Sequence, residues 1–333
     1  MRGLMPDLYP LFFTPVLKHY PWGGRNLEKL GRNLPEGKRV AESWEIAAHA
    51  DGMSVVKNGA YTGKTLPELI TILGVDLVGR NNQWALDRGI FPLMVKLLDA
   101  EERLSIQVHP DDDYARIHEG QSELGKAEMW VILSAKPGAQ IIYGFSEETT
   151  SDAFRQAIRS GELEPFLNYY PVKAGDHICV PPGTLHAILE GIMLAEIQQN
   201  SNATYRVYDW NRTDADGNSR PLHIDQALEV INFQQVKAVF SPPDVTQHSN
   251  QLIWEHLCQN NYFTIERLTC QQDAQIKGRC DGTTLEIWGV INGQARIAGE
   301  MVEKVNFCLL PAGLSDFFIQ AKANSVLLRA YTP

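Results

Sequence analysis

The residues best suited to chemistry lie in two short stretches, Ser105-Ile106-Gln107-Val108-His109-Pro110-Asp111-Asp112 and Gly125-Lys126-Ala127-Glu128-Met129-Trp130. Side chains alternate along a strand, so the first stretch gathers Ser105, Gln107 and His109 on one face, and the second gathers Lys126, Glu128 and Trp130. Together with His186 they offer two imidazoles, a carboxylate and an amide oxygen. That mixture suits zinc or a similar first-row divalent cation, with fewer strong ligands than a closed shell and hence room for water or substrate. Lys126, Ser105, Arg206 and Lys96 would add a cationic patch. Beside a divalent ion, such a patch reads as a site for a phosphorylated or carboxylated small molecule. The same residues also admit a plainer reading, in which Arg206 and Lys126 merely pair with Glu45, Glu196 or Asp209.

The elements that must position these groups follow from pattern and punctuation. Ile106 and Val108, and Ala127, Met129 and Val131, supply the apolar faces opposite the polar ones. Glu42-Ser43-Trp44-Glu45-Ile46 reads as a short strand whose Glu45 could line a pocket. Phe91 to Ala100 is a continuous apolar run holding Lys96, and a lysine in a buried strand must be paired or functional. Thr65-Leu66-Pro67-Glu68 has capping-box spacing ahead of Leu69, Ile70 and Leu73, which predicts a helix. Further helices are expected over 111–119 with Tyr114 and Ile117 inward, over roughly 151–160 with Thr150 or Ser151 as the cap and Gly161 as the stop, and over 222–232. From Val172 onward, short strands and turns such as Pro181-Pro182-Gly183-Thr184 have the rhythm of an antiparallel sandwich or barrel. Alternation puts Arg206 and Tyr208 on one face, and Trp288 to Gly293 reads as a hairpin. Leu310-Pro311-Ala312-Gly313 echoes Val180-Pro181-Pro182-Gly183, suggesting a duplicated β domain without metal ligands in its second copy. The Phe233 to Asn250 stretch with Pro242-Pro243 is the boundary between a domain over 1–240 and a smaller one over 241–333.

Bulk properties narrow the function. The chain has 333 residues and 40 acidic against 30 basic side chains, a net charge of −10, which argues against nucleic-acid binding by counterion release. The first fourteen residues lack the shape of a signal peptide and no later run is long enough to span a bilayer, so a cytoplasmic protein without membrane contact is expected. Five irregularly spaced cysteines without a C-x-x-C pair fit reduced thiols.

Four motifs in order, Ser105 to Pro110, Gly125 to Trp130, Val180 to His186 and Thr204-Tyr205-Arg206-Val207-Tyr208-Asp209, resemble those of the type I mannose-6-phosphate isomerases in their short bacterial form. The resemblance extends to Trp22-Gly23-Gly24, Glu42-Ser43-Trp44-Glu45 and Phe91-Pro92-Leu93, and is weakest after about Phe240. It implies a mainly β, double cupin fold with helical insertions, and one zinc ion per chain held by Gln107, His109, Glu128 and His186. It also implies reversible conversion of mannose 6-phosphate to fructose 6-phosphate through an enediol. Arg206 would be the active-site arginine, Lys126 would contact phosphate or shuttle a proton, and Ser105 and Lys126 match positions near the sugar phosphate.

The chain departs from that pattern at Asn202, where family members commonly carry an aspartate proposed for proton handling. An amide is no general base at neutral pH, so the proton would pass to Lys126, Glu45 or a metal-bound water, or the position has a binding role. Two alternatives follow: a non-catalytic or altered-specificity sugar-phosphate-binding protein, and a metal-dependent cupin oxygenase, which would usually show H-x-H spacing absent here. Oligomeric state is not legible.

Overall fold

In the computed structural model, residues 7–213, 217–236 and 243–333 are described. The expected helices form for the expected reasons. Leu66–Leu73 starts where the Thr65 backbone N–H donates to the Glu68 carboxylate at 2.8 Å, and it buries Leu66, Leu69, Ile70 and Leu73. Ser151–Ser160 starts where Thr150 Oγ1 accepts from the Ala153 N–H at 3.2 Å, and it ends at Gly161 in the left-handed conformation. Asp112–His118 forms as well, but Ile117 is 70% exposed, and Ala115 is the residue that helix buries.

Two compact units emerge. One comprises the described residues of Leu17–Ser43 and Val95–Ser241, the other those of Met1–Val16, Trp44–Met94 and Pro242–Pro333. This division differs from a single cut at residue 240, since residues 7–16 and 44–94 group with the C-terminal strands. The reason is that pairing and packing act between segments distant in sequence. The linker itself, 237–242, lies outside the described residues.

The first unit is a sandwich. Its five-stranded sheet runs Leu167–Pro171, Gln140–Phe145, His186–Ile188, Ile106–Val108, Tyr205–Tyr208. A six-stranded sheet, most of whose residues belong to this unit, runs His177–Val180, Glu128–Ala135, Ile192–Gln199, Leu93–Ala100, Glu42–Ile46, Val16–Lys18. The inner faces share Leu98, Leu104, Trp130, Ile132, Ile141, Tyr143, Ile178, Val180 and Ile188. The outer face of the five-stranded sheet, with Ile106, Val108, Ile142 and Ala187, packs with Phe154 and Ala157 of one helix and Ala227 and Leu228 of another, Ile224–Val230. Sheets thus covered on both faces fix their strand register. Between the last two strands of the five-stranded sheet it slips after Arg206: Arg206 pairs with Gln107, but Tyr208 pairs with Ile106. This bulge turns Tyr208 toward the outer cluster, so simple alternation, which put it beside Arg206, fails there.

The second unit carries its own sandwich. Asp244–His248, Leu252–Gln259, Thr264–Cys270, Val326–Tyr331, Glu286–Asn292 and Asn306–Leu310 form one sheet; Ala274–Cys280, Ser315–Ala321, Gln294–Ile297 and Glu300–Glu303 form the other. Trp288 to Gly293 is not a hairpin: Glu286–Asn292 and Gln294–Ile297 belong to different sheets, and Gly293, at φ 75°, passes the chain from one to the other. A β-carbon there would collide with Ser325.

The two sandwiches repeat a local pattern. Glu128 pairs with Val180 and Trp130 with Ile178 on one side, and with Gln198 and Glu196 on the other. Glu286 pairs with Leu310 and Trp288 with Cys308, then with Tyr331 and Arg329. In both, the indole N–H donates to the glutamate two residues before it, at 3.0 Å in the first and 2.6 Å in the second. Where the first sandwich has Glu196, the second has Arg329, whose guanidinium donates to Glu286 and, at 3.1 Å, to Glu266. Arg329→Met would leave two buried carboxylates without their cation and is expected to destabilise the protein by about 3 kcal/mol, read as a lower urea midpoint. An unchanged midpoint would show that the pair carries no stability.

Cys270, Cys280 and Cys308 are free and buried. Among the described residues no helix is long and apolar enough to cross a membrane.

Candidate functional site

Tyr143, His186, Gln107 and Arg206 lie in one row across the five-stranded sheet, in register at each step from strand to strand. Their side chains therefore share the inner face, toward Glu128, Trp130 and Glu196 of the other sheet. The turn that delivers His186 needs Gly183, at φ 80°, whose N–H donates to the His109 carbonyl at 2.9 Å; a β-carbon would run into the Val230 carbonyl.

His109, Glu128 and His186 are all buried, and their ligand atoms lie within 4.8 Å of one another. His109 Nε2 is 3.1 Å and His186 Nε2 3.8 Å from the Glu128 carboxylate. Each imidazole turns its other nitrogen to a backbone carbonyl, His109 Nδ1 to Ala203 at 2.8 Å and His186 Nδ1 to Thr184 at 2.9 Å. A proton on Nδ1 leaves the Nε2 lone pair facing the cluster, the arrangement that metal-binding histidines use. Burial pushes the His109 pKa down to about 3 and that of His186 below its ordinary value, so both rings are neutral. The Gln107 amide is 3.4 Å from His186 Nε2 and accepts from the Ser105 hydroxyl at 3.2 Å.

These acceptors converge on positive charge. Lys126 Nζ lies 3.1 Å from His109 Nε2 and is ion-paired with Glu128. Burial works against that ammonium, but Glu128 and Glu196 outweigh it and raise its pKa. Burial likewise opposes the Glu128 charge, yet Lys126 and His109 hold its pKa well below the usual carboxylate range. Two neutral imidazoles, a carboxylate and an amide fit a divalent cation of the zinc class.

The cluster opens into a cavity of about 200 Å³ that Ser105, Gln107, Lys126 and Glu128 line together with Arg206, Arg220, Asn202, Lys96, Glu42 and Glu196. Arg206 donates from Nη1 to the Pro221 carbonyl at 2.9 Å, while its Nε is buried without a partner among the described residues. Asp209 accepts from both Arg212 and Arg220. Glu196 accepts from Trp130 Nε1 at 3.2 Å, and its pKa is pushed up to about 8, by burial first and then by Glu128.

The seven residues singled out for the site, Ser105, Gln107, His109, Lys126, Glu128, His186 and Arg206, thus meet in one place. Glu45 does not line the cavity; its neighbour by three, Glu42, does, 3.6 Å from Lys96. Alternation puts Glu42 and Glu45 on opposite faces but cannot say which face looks inward. Glu196 and Arg220 were not singled out as site residues. A carboxylate inside the apolar run Ile192–Gln199 carried the same signal as Lys96 in its own run.

Comparison with known proteins places this geometry. Residues 11–130 match the family described as phosphomannose isomerase type I, catalytic domain. The chain is 40% identical over 325 residues to mannose-6-phosphate isomerase ManA of Bacillus subtilis (strain 168), covering 96% of this chain and 98% of that protein. It is 46% identical over 225 residues to the mannose-6-phosphate isomerase of Streptococcus mutans serotype c, covering 67% of this chain and 68% of that one. The crystal structure of the mannose 6-phosphate isomerase from Bacillus subtilis superposes with a TM-score of 0.84 at 35% identity, over 96% of this chain and 99% of that one.

Proposed function

The chain belongs to the type I phosphomannose isomerase family, and from that membership we propose that it interconverts mannose 6-phosphate and fructose 6-phosphate with one bound zinc ion. Gln107, His109, Glu128 and His186 would hold the ion. Bound there, it would act as a Lewis acid toward the substrate's oxygens. The observation that carries the reading is the meeting, in one cavity, of the His109–Glu128–His186 cluster with Ser105, Lys126 and Arg206.

Aldose-ketose isomerisation shifts a proton between C2 and C1 through an enediol, and the difficulty is the negative charge that builds on oxygen. Arg206, which lines the cavity, answers it with a permanently charged guanidinium. Lys126 supplies a second cation, as a donor to the substrate's phosphate or to an oxygen being protonated. Ser105 fixes the Gln107 amide through its hydroxyl and lines the same wall. The walls of Leu98, Leu104, Trp130 and Ile188 keep the dielectric low, which strengthens each of these charges.

A coupled assay with mannose 6-phosphate tests the reading. Turnover is expected to vanish on chelation and to return with added zinc. Undiminished turnover after complete metal removal, or metal bound without turnover, would overturn it. Asn202 lines the cavity, and this favours a second reading in which the chain prefers another sugar phosphate. A panel of epimeric hexose phosphates separates the two, since the second reading requires a substrate turned over faster than mannose 6-phosphate.

A further inference from the structure

We infer that His223 is a positioning residue for Arg206, and that it performs this role only while its imidazole is uncharged. The inference rests on the role given to Arg206 above.

Tyr205–Tyr208 is the edge strand of the five-stranded sheet, so main-chain groups on its outer side lack a neighbouring strand. At Arg206 they are met by a single residue. The Arg206 N–H donates to His223 Nδ1 at 3.2 Å, and the His223 N–H donates back to the Arg206 carbonyl at 2.8 Å. The imidazole nitrogen therefore stands where a partner strand's carbonyl would be. The same segment also holds the other end of the side chain, because the Pro221 carbonyl accepts from Arg206 Nη1 at 2.9 Å. Arg220 closes the clasp: its guanidinium donates twice to Asp209, at 2.8 and 2.6 Å, just beyond the end of the edge strand. Main chain and guanidinium of Arg206, a residue that lines the cavity, are thus held by residues 221–223.

Only a neutral imidazole can accept at Nδ1, since a protonated ring donates from both nitrogens and would face the Arg206 N–H donor to donor. Burial, and then the Arg206 charge, hold the His223 pKa below its ordinary value; Glu119, at the end of the Asp112–His118 helix, acts in the opposite sense. Tyr205, whose hydroxyl donates to Glu119 at 2.7 Å, is the other titratable group facing the ring, at 6.2 Å between ring centroids. The acceptor is therefore present at neutral pH and is lost as pH falls through the depressed pKa.

The test is the pH dependence of kcat and KM for mannose 6-phosphate from about pH 5 to 8 on zinc-loaded protein, with metal content measured alongside. His223→Asn keeps an acceptor oxygen near the place of Nδ1 but does not titrate. It should turn over near the wild-type rate at neutral pH, and its acid limb should move to lower pH. His223→Leu should lower kcat by about tenfold with metal content unchanged, because a main-chain donor loses its partner. An acid limb in His223→Asn that coincides with wild type, or wild-type kcat in His223→Leu, would overturn the inference. Arg206→Lys separates the layers. Wild-type turnover in that variant would sink the reading of Arg206 and the inference with it, whereas an impaired Arg206→Lys beside an unmoved His223→Asn profile would remove the inference alone.

Discussion

His186→Ala is expected to lose metal and turnover together, by about a hundredfold or more in each. His186 is one of only two imidazoles in the cluster, and its Nε2 lone pair is aimed inward by the bond from Nδ1 to the Thr184 carbonyl. Removing it leaves His109, Glu128 and an amide, too weak a set to retain zinc against a chelator. The ring also packs against His109 at 4.8 Å and Trp130 at 5.4 Å between centroids, so its loss loosens the two groups that flank it. Metal analysis, circular dichroism and the isomerase assay on one preparation check the expectation. Full activity with normal zinc in a folded His186→Ala protein would dismantle the proposed metal site.

Arg206→Ala should behave in the opposite way, keeping its metal while kcat falls by about 10²- to 10³-fold, the range seen when a donor to a developing oxyanion is removed. Arg206 sits in register with Gln107 but makes no bond to His109, Glu128 or His186. Its contribution should appear mainly in kcat, since charge on the substrate oxygen is greater in the enediolate than in the bound sugar. Loss of zinc in this variant would mean that the arginine supports the cluster and its role has been misread.

Much of this site was legible because its residues obey rules with short reach. Period-two alternation grouped Ser105, Gln107 and His109, and a buried strand made Lys96 conspicuous before any contact was known. The capping box at Thr65 marked one helix start, and the choice of Thr150 or Ser151 marked another to within a residue. What escaped had causes of longer reach. The bulge after Arg206 is set by pairing with Ile106–Val108, about a hundred residues away in sequence, and it reverses Tyr208. Which of Glu42 and Glu45 faces inward depends on which side of the strand another sheet covers. Gly293 has the composition of a hairpin turn, but whether it joins neighbours in one sheet or crosses to another is decided by where the later strands dock. His223 carried no signal at all, being a lone histidine before a helix until the edge strand came to lie beside it.

The exchange of Glu196 for Arg329 between the two sandwiches sets up a difference in linkage. A cation held by His109, Glu128 and His186 can dissociate, so the stability of that sandwich rises as RT ln(1 + [M]/Kd) with the free metal concentration. The guanidinium at Glu286 and Glu266 is tethered to its own chain and has no dissociation constant. The pair at Glu286 and Glu266 therefore adds no metal dependence of its own, while an ion bound at the proposed site would tie the stability of its sandwich to metal supply.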